Sequence, residues 1–191
     1  MAAPHPAGVF PLSLDDGGAT ALADLTSAPR FGWKGAGSAD GLRELGLPLP
    51  EINRFNAWRG LRLLRLGRED FVLLGDAAPA ALREVVHAWT ASEPPRGHKS
   101  WREEGWAWMR LTGAGALDVL TRLCAVDLRP SHLGKDQILQ TRLGPIEAVL
   151  LPCEQGYEFL FDITTTASML ESLAWAERQS RRASDEAGGS V

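Results

Sequence analysis

The sequence predicts an α+β fold made of two pseudo-repeated βαββα-like halves packed as one unit. The first observation is a recurring segment: residues 31–45 read FGWKGAGSADGLREL and residues 109–123 read MRLTGAGALDVLTRL. With Gly35 laid on Gly113, the pairs Ala36/Ala114, Gly37/Gly115, Asp40/Asp118, Leu42/Leu120 and Leu45/Leu123 coincide. The second is order: each copy is followed by two short apolar runs around a polar turn, then by a stretch with helical apolar spacing. The third is composition. A chain of 191 residues, 45% hydrophobic and 23% charged, is ordinary globular material and long enough to bury a core.

The elements follow in turn. Residues 1–28 mix Pro, Gly, Asp and Ala without period and are expected to form an N-terminal arm, in which the alternation of Phe10, Leu12 and Leu14 could add a short edge strand. The α+β domain is expected over 29–178, with halves 29–91 and 101–178. Each half opens with a strand end, a Gly turn and a helix start. In the second helix Ala116, Val119, Leu120 and Leu123 form one apolar stripe, and Gly46 stands where the first helix should stop. Leu61–Leu66 and Phe71–Leu74 read as strands around Gly67–Asp70, and Glu147–Leu151 and Tyr157–Phe161 as their counterparts around Glu154–Gly156. Leu82, Val85, Val86 and Trp89 then share one helix face, and a later helix starts near the N-cap residues Thr164–Thr166 with Met169, Leu170, Leu173 and Ala174 inward. Trp89 and Trp175 invite pairing, but the offset that superposes them puts Ser168, Glu171 and Ser172 on the core stripe. Trp175 is therefore expected off the core. Between the halves, Ala91–His98 holds a Pro pair and a Gly and reads as an exposed connection. Trp106–Leu111 reads as a strand with alternate residues buried, or, with Trp101, as an interface wedge. Residues 179–191 are polar and Gly-terminated and are expected to be a disordered tail.

Charge and cysteine content exclude several classes. A net charge of −4 argues against a partner gripped by its phosphates, and two cysteines are too few for a disulfide framework. No apolar run approaches a membrane span, and the N-terminus lacks the charged start of a signal peptide, so a cytoplasmic protein is expected. Of the 20 basic residues only Lys34, Lys99 and Lys135 are lysines, and there are seven tryptophans. Arg and Trp are enriched where proteins bury surface against each other, although a GC-rich genome also favours Arg.

No catalytic, cofactor-binding or metal-ligating residue is assigned. The Gly35–Gly37 and Gly113–Gly115 turns lack the sixth-position Gly of a dinucleotide loop. They carry Asp40 and Asp118 instead, which would repel a pyrophosphate; a tight structural turn is the better reading. His5, His87, His98 and His132 are scattered, with His87 expected to pack beside its helix stripe. Cys124 and Cys153 have no ligand partner at metal spacing. Asp15–Asp16 and Glu103–Glu104 read as solvated acid pairs in turns. Arg54, Arg59, Arg62, Arg65 and Arg68, with Trp58 among them, could form an anion or partner surface.

A family likeness rests on ordered segments: Trp108–Leu120, Leu123–Pro130, Gln140–Leu143 and Gly156–Asp162, preceded by Arg30–Gly35, Leu47–Pro50 and Leu66–Leu74. Over roughly residues 30–178 the chain resembles the gamma subunit of heterotetrameric sarcosine oxidase, and less separably the small subunit of related N-methyl amino acid dehydrogenases such as N-methylglutamate dehydrogenase. The resemblance implies a fold like the N-terminal, folate-binding part of glycine-cleavage T-protein. It implies a non-catalytic role among alpha, beta and delta subunits, chiefly bracing alpha. The complex would demethylate sarcosine oxidatively to glycine, pass the one-carbon unit to tetrahydrofolate and form hydrogen peroxide. No cofactor is implied on this chain; FAD, FMN, NAD and tetrahydrofolate are expected on partner subunits. T-protein relatives carry paired acids after a Gly-hydrophobic turn, where this chain has Gly144-Pro145-Ile146-Glu147-Ala148-Val149 with a single Glu, which weakens a stand-alone folate-dependent aminomethyltransferase reading. The Lys-Gly-Cys-Tyr type signature of folate-binding iron–sulfur maturation proteins is absent.

Overall fold

A computed structural model describes residues 20–92 and 96–188, with side chains described as far as residue 183. The arm residues 1–19, including His5, Asp15 and Asp16, lie outside it. The architecture is α+β with two antiparallel five-stranded sheets. The chain divides into two compact units: a mid-chain unit of 27–106 with 136–138, and a split unit of the residues up to Thr26, 107–135 and 139 onward.

In the mid-chain unit, β2 (Arg30–Lys34) leads through the Gly35–Gly37 turn into α1 (Ser38–Glu44). Gly46, at φ 78°, ends α1 as expected: Leu47 N–H reaches Leu42 O at 3.0 Å and Gly46 N–H reaches Arg43 O at 2.9 Å. Leu42 and Leu47 are both buried, so a hydrophobic contact seals this Schellman stop. Strands β3 (Arg54–Trp58), β4 (Leu61–Gly67) and β5 (Asp70–Leu74) follow, then α2 (Pro79–Thr90), the short β6 (His98–Lys99) and one turn of helix, α3 (Arg102–Gly105). The sheet order is β3-β4-β5-β2-β6. Helix α2 buries Leu82, Val85 and Trp89 over it, and Trp89 meets Phe31 and Trp33 edge-to-face at 5.6 and 6.0 Å.

The split unit repeats this plan. Strand β1 (Ala21–Asp24), inside the stretch expected as an arm, pairs with β7 (Trp106–Thr112) from Ala21↔Thr112 to Asp24↔Met109. After the Gly113–Gly115 turn come α4 (Ala116–Thr121), β8 (Leu139–Leu143), β9 (Ile146–Cys153), β10 (Gly156–Asp162) and the long α5 (Thr166–Gly188). The order is β1-β7-β10-β9-β8, so β2/β7, β3/β8, β4/β9 and β5/β10 are equivalent and β6 and β1 take the same edge place. Each five-stranded half therefore carries two strands more than the βαββα expectation, β3 and β6 in one and β8 and β1 in the other. Strand β3 has no fully buried residue and leaves no apolar period to read.

Three local expectations need correction. Strand β7 buries consecutive residues, Ala107, Trp108 and Met109, instead of alternating ones. Helix α5 starts at Thr166, within the expected Thr164–Thr166, after a 3-10 turn (Ile163–Thr165) whose cap Asp162 accepts from Thr164 N–H at 2.8 Å; it buries Met169, Leu173 and Ala176, leaving Leu170 and Ala174 half-buried. That helix also runs on to Gly188, well into the stretch expected as a disordered tail. Its Ala, Glu, Gln and Arg residues are good helix formers, and Glu177 pairs with Arg181 one turn on. Trp175 is 48% exposed, as its helical phase required.

Candidate functional site

The two Gly turns do one structural job twice. Gly35 and Gly113 both take φ near +100°, which only Gly adopts without strain. Gly35 N–H donates to Glu69 O at 2.9 Å and Gly113 N–H to Gln155 O at 3.0 Å, tying each turn to the hairpin tip of its own half. In the first half the Glu69 carboxylate also accepts from Ala39 N–H at 2.8 Å. A side-chain carboxylate thus occupies the place a dinucleotide phosphate would need.

At the Gly113 end of the split unit's sheet lies a cavity of about 360 Å³. Its walls come from three places. The Gly turn and first turn of α4 give Gly113, Ala114, Ala116 and Leu117. The 124–138 loop gives Leu128, Pro130, Leu133 and Lys135. The β9–β10 hairpin tip gives Pro152, Cys153, Gln155, Gly156 and Tyr157. The lining is mostly apolar, with Lys135, Cys153, Gln155 and Tyr157 as its polar side chains.

The loop is held in place by Tyr157, whose buried hydroxyl donates to Leu128 O at 2.6 Å. Burial, with the negative charges of Asp127 and then Cys153, pushes this phenol above its ordinary 10.0. Outside the wall, Asp127 grips Arg129: Arg129 Nε donates to it at 3.0 and 3.1 Å, and His132 Nδ1 lies 2.8 Å away. The hydrogen bonds from Arg129 hold the Asp127 carboxyl well below the usual carboxylate range. Gly156 admits no side chain, since a Cβ there would stand 2.0 Å from Leu111 O, whereas its neighbour Gln155 takes φ 64° without being Gly.

On another part of this sheet sits a wholly buried carboxylate. Glu158 has no exposed surface; its Oε2 accepts from Trp108 Nε1 at 2.9 Å, and its Oε1 from Arg110 Nε at 2.9 Å and Nη2 at 2.7 Å. Sequence inspection missed this group because Glu158 stands in an otherwise apolar strand with no partner nearby in sequence.

The remaining candidates disperse. Glu103 and Glu104 both meet Lys99, at 2.7 and 3.1 Å; burial pulls the ammonium down but these bonds outweigh it and raise it. In the arginine run, Arg54, Arg59 and Arg62 pair with Asp136, Glu84 and Asp76, and Arg65 donates to the carbonyls of Pro50, Gly67 and Arg68. Four of the five guanidinium groups are thus engaged within their unit, and Arg68 is exposed. His87 is exposed on α2 instead of packed, and His98 is exposed on β6. Cys124 is buried and Cys153 half-buried, both as free thiols. Among the described residues no His, Cys, Asp and Glu side chains gather as metal ligands. Glu147 is exposed and faces Arg142 across the hairpin at 3.5 Å. Of the clustered tryptophans, Trp108 is buried, Trp106 lies under the Arg102 guanidinium, and Trp101 is 64% exposed in a left-handed conformation. Among the described residues no helix is long and apolar enough to cross a membrane.

The sequence matches no protein-family model and no curated protein. The fold does have solved counterparts. A chain of heterotetrameric sarcosine oxidase from Corynebacterium sp. U-96, in complex with pyrrole 2-carboxylate, aligns with a TM-score of 0.69 at 23% identity, over 84% of each chain. Glycine cleavage system aminomethyltransferase T from Bartonella henselae aligns with a TM-score of 0.57 at 16% identity, over 82% of this chain and 45% of that one. The present chain thus spans less than half of the aminomethyltransferase. At these identities the likeness establishes the fold.

Proposed function

We propose that this chain is a non-catalytic, gamma-type subunit of a cytoplasmic sarcosine-oxidase-like complex. The observation that carries the reading is chain-for-chain likeness: 84% of this chain overlays 84% of a chain from a heterotetrameric oxidase. Against the aminomethyltransferase it supplies only a fraction of the longer protein. In this reading the partners are alpha, beta and delta subunits, and FAD, FMN, NAD and tetrahydrofolate sit on those partners. The complex would oxidise an N-methyl amino acid such as sarcosine. Two electrons would pass through flavin to oxygen to give hydrogen peroxide, and the one-carbon unit would pass to tetrahydrofolate. This chain would brace the folate-binding part of alpha and help wall in the reactive imine, which limits its escape and hydrolysis. Trp101 and Trp175 support a docking role, since large exposed aromatics are the side chains that anchor interfaces.

Coexpression with candidate alpha and beta subunits tests this directly. Copurification as a stoichiometric complex, weakened by Trp101→Ser or Trp175→Ser, is expected. A chain that stays alone beside folded partners overturns the proposal. Calorimetry with tetrahydrofolate on the isolated chain addresses the stand-alone aminomethyltransferase reading; tight binding with methyl transfer would favour that enzyme instead.

A further inference from the structure

The cavity at the Gly113 end of the split unit has a size, a lining and one uncommitted charge that together specify a ligand. We propose that it binds a compact organic anion with a flat apolar body. This goes beyond the subunit reading and does not depend on it.

Its volume of about 360 Å³ lies within the range of small-molecule sites, and its walls are mostly apolar, with leucine, proline and alanine side chains and a tyrosine ring. The ring is fixed, because the Tyr157 hydroxyl is already bound to Leu128 O. The polar groups select the ligand's charge. On the lining loop, Arg129 and His132 are taken up by Asp127, whereas Lys135 is exposed with no ion pair or hydrogen bond among the described residues. An anion therefore complements the site and a cation does not. The hairpin tip adds a second donor. Gln155 holds a left-handed φ of 64°, a conformation that Gly would adopt at less cost, yet the position carries an amide side chain. The adjacent Gly156 shows that Gly is used at this tip where packing demands it. Strain retained at a lining residue points to a use for that side chain. The cavity is also separate from the exposed Glu147. Glu147 and Cys153 stand near opposite ends of β9, about 20 Å apart at ~3.4 Å per residue.

Two dyes test the proposal on the full chain: 8-anilinonaphthalene-1-sulfonate, a flat aromatic sulfonate, and N-phenyl-1-naphthylamine, the same body without the charge. The sulfonate should bind saturably at one site per chain. Lys135→Gln should weaken it about fivefold, the worth of an exposed ion pair, and leave the uncharged dye unchanged. Ala114→Trp, which fills the mouth from an exposed position, should abolish both. Gln155→Gly should weaken the sulfonate while holding or raising the melting temperature, a sign opposite to that of a merely structural residue. Saturating sulfonate should slow iodoacetamide alkylation of Cys153, followed by peptide mapping. Absent or multi-site binding, equal loss of both dyes in Lys135→Gln, or unchanged alkylation of Cys153 overturns the proposal. So does binding that emerges only after residues 1–19 are deleted, which would make that segment the occupant.

Discussion

The buried Glu158 cluster gives the sharpest quantitative prediction. In Arg110→Met the carboxylate loses the bonds of 2.9 and 2.7 Å to its Oε1 and keeps the 2.9 Å bond from Trp108 to Oε2. Removing one partner of a buried ion pair costs about 3–5 kcal/mol because the other charge stays buried. Arg110 is itself 33% exposed, so water can approach from its side, and the low end, about 3 kcal/mol, is expected. Glu158→Leu removes the buried carboxylate beside a partly exposed Arg110 but orphans the Trp108 N–H, for about 2 kcal/mol. The double variant removes both charges and should also cost about 2 kcal/mol, mostly that same orphan. The coupling between the two sites is then about 3 kcal/mol. Urea denaturation monitored by circular dichroism, with unchanged slopes, reads all three variants. An Arg110→Met cost under about 1 kcal/mol, or costs that simply add, would refute the view that Glu158 is a buried charge dependent on Arg110.

Other expectations can be checked as directly. Tyr157 is the chain's only tyrosine, so absorbance at 295 nm titrates it alone. Its midpoint should lie above 10.0 in the folded protein and return to that value in urea. The stability linked to it is full below pH 10.0 and is lost as pH rises through the folded midpoint. Gly156→Ala should cost about 3 kcal/mol or more, because the new Cβ meets backbone atoms of Leu111 and Thr112 within 3.0 Å. Gly105→Ala meets nothing within 4 Å and should be neutral or slightly stabilising. The bonds from Thr164 lower the Asp162 pKa below 3.8 and cap the 3-10 turn that leads into α5. Asp162→Ala should therefore lower the melting temperature above pH 3.8, and the difference from wild type should shrink as pH falls through the lowered value.

Much of the architecture was written in local pattern. The repeated Gly turns, the stop at Gly46 and the stripe Leu82–Val85–Trp89 depend on neighbours in sequence, and such features can be read before folding. The exposure of Trp175 followed from helical phase alone. Long-range pairing was not legible. Glu158 finds Trp108 and Arg110 some 50 residues away, and nothing in a run of apolar strand residues announces it. The arginine run misled for the same reason: its acidic partners Asp76, Glu84 and Asp136 lie on other elements. The cavity escaped because Lys135 and Gln155 belong to different loops, joined only by the fold. The start of α5 at Thr166 was legible in the run of cap-type threonines, whereas the 3-10 turn capped by Asp162 just before it was not.

Strand β1 pairs with β7 although about 85 residues separate Asp24 from Met109, and almost all of the mid-chain unit lies between them. Closing an unstructured loop of that length would cost about 4 kcal/mol of chain entropy. Arg30 shortens the problem. Its buried guanidinium donates to Ala28 O at the unit's entry and to Glu103 O and Trp106 O at its exit. It acts as a buckle that brings the two ends of the insert together. During synthesis on the ribosome this region emerges first and, once buckled, offers β1 as a ready edge when β7 follows.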